Sequence, residues 1–270
     1  MLKRLMQLLV FAPIAACDGT APTEAAATLP VIRAYLYAGE PVAAVQVSST
    51  LPVNSTDSVG SPINDAAVAL VRRGERFTLV RSAGDSGFYH YAGSDLVVAV
   101  NDTFDLEVTA LGKSATARTV VPPPPTSVTL AATTLTIPDF SAGPGSTPLD
   151  PSTFTLIVRW PNAAKDSYYV VTENIEANPT AVSTSGGFVL RGRFIQAPTT
   201  ADSARVVALT LTHYGRHRVT LYRVNPEYAA LYESRTQDSR DLNEPASNIK
   251  GGLGVFAAFS SRSAEFIANK

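Results

Sequence analysis

The residues of this chain best suited to chemistry are the run Gly84-Asp85-Ser86-Gly87 and the histidines His90, His213 and His217. A serine hydroxyl becomes a useful nucleophile only when a neighbouring base takes its proton. In the serine proteases built on such a run, a histidine precedes the serine and a second glycine follows it. Here all three histidines come after Ser86, and Phe88 stands where that glycine would be. The run therefore reads as a glycine-rich β-turn. His213 and His217, at i and i+4, would share one face of a helix and could begin a metal site. Alternation through Leu209, Leu211, Val219 and Leu221 argues for strands instead. The pair is expected to be cross-strand neighbours at a hairpin around Tyr214-Gly215-Arg216, structural or pH-sensitive, without a third ligand. Gly252-Leu253-Gly254 lacks the strand, glycine loop and helix order of a dinucleotide site. The sequence predicts no catalytic residue, no metal ligands and no cofactor, so no enzyme.

One residue does carry an expected modification. Lys3 and Arg4 precede the apolar run Leu5 to Ala12, and Ile14-Ala15-Ala16 leads into Cys17. This is the pattern of a secretory signal ending in a lipobox. The apolar run is far shorter than the roughly 20 residues of a spanning helix, so residues 1–16 are expected to be removed and Cys17 lipidated. Acyl chains contribute about 0.8 kcal/mol per buried methylene, and several together anchor a protein stably. Residues 17–28, rich in Ala, Thr and Pro, read as a flexible tether. As the only cysteine in the chain, Cys17 can form no internal disulfide, so stability must come from packing.

The elements that follow are short strands. In Thr103 to Ala110, Phe104, Leu106, Val108 and Ala110 share one face and Thr103, Asp105, Glu107 and Thr109 the other, as a half-buried strand requires. Val42–Ser49, Ala66–Arg72, Arg76–Arg81 and Ser114–Val121 repeat the pattern, separated by turn residues. Pro122-Pro123-Pro124-Pro125 cannot join a ladder and marks a boundary. Residues 29–121 are predicted to form one β-sandwich, 122–126 a linker and 127–270 a second sandwich. Strands of the second are expected at Val128–Ile137, Phe154–Trp160, Ser167–Asn174, Gly187–Phe194, Ala204–His213 and His217–Val224. A single helix is expected at about 226–237, capped by Asn225 with Pro226 at its first position. A glycine-rich turn then leads into a hydrophobic final strand. The fold class is all-β, two antiparallel sandwiches and one short helix near the C-terminus.

Composition narrows the function. Lys and Arg total 22 against 23 Asp and Glu, a net charge of -1, which offers no basic face for nucleic acid. At 45% hydrophobic and 17% charged, the chain has ample material for a core.

Several segments carry resemblances. Trp160-Pro161 followed by Tyr168-Tyr169-Val170 resembles two strands of a fibronectin type III domain. Pro62-Ile63-Asn64-Asp65-Ala66-Ala67-Val68-Ala69-Leu70, then Gly87-Phe88-Tyr89 and Phe104-Asp105-Leu106-Glu107-Val108, resembles the transthyretin-like or carboxypeptidase-regulatory-like sandwiches of exported bacterial proteins. Together with Val120-Val121-Pro122, Glu244-Pro245 and Ser247-Asn248-Ile249-Lys250-Gly251-Gly252-Leu253-Gly254-Val255-Phe256-Ala257-Ala258, these segments resemble the bacterial lipoproteins grouped as domain of unknown function 4249. The resemblance implies an envelope lipoprotein, often encoded near TonB-dependent outer-membrane receptors, with no established activity and no site residues to carry over.

The expected function is a non-enzymatic binding or accessory module, lipid-anchored at the outer membrane and partnering a TonB-dependent transporter. The alternative is a structural envelope protein that self-associates through strand edges. Contacts are expected in the loops Leu51–Pro62, Phe140–Pro151 and Thr236–Lys250, since loops on rigid scaffolds commonly carry recognition.

Overall fold

The computed structural model describes residues 28–51, 56, 59–138, 154–182, 193–234 and 246–270. The expected signal segment, Cys17, the expected tether up to residue 27 and the loop 140–151 lie outside the described residues, as do most of 236–250 and of Gly187–Phe194.

The first sandwich contains β1 (Pro30–Tyr37), β2 (Ala44–Ser49), β3 (Ala67–Arg72), β4 (Glu75–Arg81), β5 (Phe88–His90), β6 (Thr103–Ala110) and β7 (Lys113–Val120). The second contains β8 (Thr129–Leu130), β9 (Thr134–Thr136), β10 (Thr155–Arg159), β11 (Ser167–Asn174), β12 (Arg193–Ile195), β13 (Ser203–Val207) and β14 (Gly215–Val224). Then follow α1 (Pro226–Ser234) and β15 (Leu253–Asn269). The chain is thus all-β with one short helix.

Alternation decides which side chains are buried. Ile32, Ala34 and Leu36 of β1 meet Phe104, Leu106 and Val108 of β6 in the first core. At about 1.5–3 kcal/mol for each large apolar side chain fully buried, this core is a main source of stability. The second core packs Leu156, Val158 and Trp160 against Tyr168, Leu221 and Phe266. Trp160 and Tyr168 lie with ring centroids 5.8 Å apart.

Eleven strands run in one continuous order, β12-β11-β14-β15-β1-β2-β5-β4-β3-β6-β7, with β9 joined to β15 and a separate sheet β13-β10-β8. The final strand belongs to both halves. Its first part runs parallel to β1, Val31 opposite Leu253 through Tyr37 opposite Phe259, and its second part antiparallel to β14. The expectation of purely antiparallel sheets therefore needs correction: β1–β15 and β9–β15 are parallel. A parallel pair needs a crossover rather than a tight turn, and here the connection from β1 to β15 spans most of the chain.

Along its first part, β15 also bonds asparagine side chains. The Asn248 amide donates to the Phe256 carbonyl and accepts from the Phe256 N–H, both at 2.8 Å. Asn225 Oδ1 accepts from Ala258 N–H at 2.8 Å, and its Nδ2 donates to the Val120 carbonyl at 2.9 Å. This corrects the capping role expected for Asn225. Its backbone carbonyl starts the helix, accepting from Tyr228 N–H, while its side chain ties β7 to β15.

The glycine-rich turn before β15 makes room for close approach. A Cβ on Gly254, at φ +114°, would lie 1.9 Å from the Ile32 carbonyl oxygen. One on Gly251, at φ +78°, would lie 2.3 Å from that of Ser114. Lys250 exchanges backbone hydrogen bonds with Thr116 of β7, and Ile249 enters the first core. The tetraproline passes beside the same strand, where Arg262 Nε donates to the Pro125 carbonyl at 2.9 Å.

Candidate functional site

On the solvent side of the β15-β1-β2-β5 sheet, the residues not pointing into the first core form a second surface. Register sets Val255, Arg33, Gln46 and Phe88 in one row across four strands. Tyr35 and Ala44 share the next row, with Ala257 on one side. Leu231 of α1 and Ala246 rise beside this floor. Together they bound a groove of about 600 Å³, lined also by Val31, Leu253 and Gly254. That size is within the range of small-molecule sites, roughly 300–1,000 Å³. Phe88 on the groove floor is 37% exposed, and Val80 on the neighbouring β4 is 45% exposed.

Among the described residues of the groove lining, Arg33 is the one cationic side chain. It lies exposed on β1, and no carboxylate pairs with it among the described residues. Gln46 sits opposite it and donates one N–H of Nε2 to the Ser86 carbonyl at 3.4 Å.

Toward the second sandwich the floor becomes aromatic. Tyr37, Tyr169, Tyr222, Tyr228 and Phe259 pack between sheet and helix, with Tyr169 stacked on Tyr222 at 4.9 Å. Burial, helped by neighbouring phenols, pushes the Tyr37 hydroxyl up to about 12 and raises Tyr169 further. These phenols are neutral packing groups at ordinary pH. Their rigid wall fixes where α1 sits and hence one side of the groove.

The sequence-marked chemistry is placed elsewhere and serves structure. Ser86 occupies the turn between β4 and β5, where Asn64 pins the run by accepting from Gly87 N–H at 2.9 Å and donating to the Asp85 carboxylate. His90 is bonded through Nδ1 to Ser82 Oγ at 3.0 Å, a serine that sequence order gave no reason to choose.

The hairpin pairing expected for His213 and His217 is corrected. His213 bridges to Ala181, whereas His217 lies in β14 opposite Asn174 of β11. A left-handed Gly215, φ +95°, breaks the chain between the two. His217 is buried, stacked on Phe266 at 5.2 Å, with Nδ1 facing the Gly215 carbonyl at 3.0 Å and Nε2 near Asn174 Nδ2. Burial lowers its pKa, so it is held as a neutral imidazole. Among the described residues no three His, Cys, Asp or Glu side chains converge. Gly252-Leu253-Gly254 forms the entry to β15.

Sequence reading missed β1 and β5 and, with them, the groove. Its one signal was Pro30 to Tyr37, where alternation is present but masked. Ile32, Ala34 and Leu36 face inward, while Val31, Tyr35 and Tyr37 make the outer side apolar too.

Compared with known families, the chain matches the one described as Domain of unknown function (DUF4249) over residues 20–265. No curated protein matches it.

Proposed function

We propose that this chain, which belongs to the domain of unknown function 4249 family, is a non-enzymatic binding module of the bacterial cell envelope, anchored by lipid on Cys17. The groove over β15-β1-β2-β5 carries this reading. A concave, largely apolar surface built on interior strands is a rigid recognition platform, and an apolar patch left open to solvent commonly marks an interaction site. Phe88 in the groove and Val80 on the neighbouring strand are exposed apolar side chains. The envelope address rests on the lipobox pattern ending at Cys17 and on the tether that follows it. The partner suggested by the family resemblance is a TonB-dependent outer-membrane transporter, for which the module would be an accessory subunit.

The test is isolation of the anchored protein from native membranes after mild crosslinking. The expected result is one transporter recovered in near-equal amount, and its loss with Phe88→Asp. Recovery of the protein only with itself overturns the accessory reading in favour of a self-associating envelope protein.

A further inference from the structure

Deepening the binding-module reading and resting on it, we infer that the groove takes a small amphipathic monoanion, one carboxylate on a hydrocarbon body, with Arg33 as its anion receptor. Three observations lead there. The lining offers apolar surface from Val31, Phe88, Leu231, Leu253 and Val255 on either side of a lone guanidinium. That guanidinium meets no carboxylate among the described residues, as is also true of Arg81, Arg159, Arg193 and Arg205, whereas Arg76, Arg118, Arg216, Arg218 and Arg223 are ion-paired; of these unpaired arginines, Arg33 is the one in the groove lining. Finally, the strands of the floor are flanked on both sides: β1 lies between β15 and β2, and β2 between β1 and β5.

The last point separates a small molecule from a peptide. A peptide that adds as a strand needs an unpaired edge, and the backbone groups of β1 and β2 are already engaged in ladders. Recognition in the groove must come from side chains. An Arg fork binds a carboxylate in two parallel hydrogen bonds. A single cation matches a single negative charge, whereas a phosphate dianion calls for several donors. Gln46, with one N–H of its amide given to Ser86, can add a neutral donor, and Arg33 supplies the positive charge for the anion. The hydrocarbon body would lie along Leu253, Val255 and Leu231, where burial supplies the affinity.

The experiment titrates the full chain with decanoate, decanol and decyltrimethylammonium below their aggregation concentrations, followed by calorimetry. Decanoate is expected to bind about tenfold or more tighter than decanol, since charge-assisted hydrogen bonds contribute at that level, and the cation weakest of the three. Arg33→Gln should bring decanoate down to the decanol value while leaving decanol unchanged. Arg33→Lys should keep part of the difference. Arg33 is exposed, so thermal melting of both variants should match the parent chain. Equal binding of decanoate and decanol by the parent chain, or a preference that survives Arg33→Gln, overturns the anion site. Failure of all three probes to bind overturns the ligand class. Neither result touches the transporter reading, which recovery of the parent chain from crosslinked native membranes decides separately.

Discussion

The two outer faces of the first sandwich enclose the same core yet are built on opposite rules. On the β7-β6-β3-β4 side, the charged outward side chains of β4, β6 and β7 pair with one another across the strands, among threonines, alanines and valines. Arg118 grips Asp105 with Nε at 2.6 Å and Nη2 at 2.9 Å, and Arg76 reaches across β3 to Glu107. On the β15-β1-β2-β5 side, the outward positions are Val31, Tyr35, Val255 and Phe88, with Arg33 standing alone among them. Cross-strand ion pairs on an exposed sheet contribute little stability and keep a face solvated. An apolar face with one unmatched charge keeps its interactions open for something else. The difference separates a face that finishes the fold from one that offers a site, and it rests on how β15 enters the sheet.

The sharpest way to break the contrast is Gly254→Ala. The added methyl would sit 1.9 Å from the Ile32 carbonyl oxygen, in a backbone conformation that disfavours side chains. It would push β15 off β1, removing the groove floor and opening the first core around Phe256 and Ala258. A loss of about 3 kcal/mol or more is expected from strain and overpacking combined, seen as a large fall in melting temperature. A variant that melts with the parent chain would show that the parallel pairing is not what holds this face.

That same glycine shows what the sequence disclosed and what it withheld. Alternation placed Thr103–Ala110 to the residue, because that strand buries one face and wets the other, and Ser167–Asn174 was also placed to the residue although Tyr168 to Thr172 are buried on both faces. The closing segment was legible as a motif, yet its purpose was not. Gly251 and Gly254 matter through backbone groups of β7 and β1 that lie far away in the chain, and Asn248 through the backbone of Phe256 in the strand that follows it. Asn225 read as a helix cap because local rules favour it there, but tertiary partners on β7 and β15 took its side chain. The groove was hidden for a related reason. A strand apolar on both faces gives no clean alternation, and one unpaired arginine becomes visible only when the carboxylates around it have positions.

A smaller effect should distinguish the faces by pH. The unfolded chain releases its tyrosine protons near pH 10, whereas Tyr37 in the fold holds its proton to about 12 and Tyr169 holds it further still. Between those limits the unfolded state binds fewer protons, so stability must fall as pH rises. The loss should begin above about pH 10, where the aromatic wall beneath α1 starts to ionise on unfolding. Thermal melts at stepped alkaline pH should show a steeper decline in the parent chain than in Tyr37→Phe. Identical slopes would mean that the phenols are not held by packing as described.

The smallest effect is expected on the charged face, and its smallness is what the comparison requires. Arg118 is 70% exposed and Asp105 37% exposed, so solvent screens their attraction and the unpaired partner of a variant is rehydrated rather than stranded. Arg118→Gln should leave the melting temperature unresolved from the parent and decanoate binding unchanged. Arg33→Gln should be equally silent in melting, because Arg33 is exposed and has no ion-pair partner among the described residues, yet erase the preference for decanoate over decanol. Two arginines on opposite faces of one sandwich would then be alike in stability and unlike in binding. If Arg118→Gln weakened decanoate as much as Arg33→Gln, the attraction would come from the overall field of the protein, and the apolar face would lose its claim to a specific anion site.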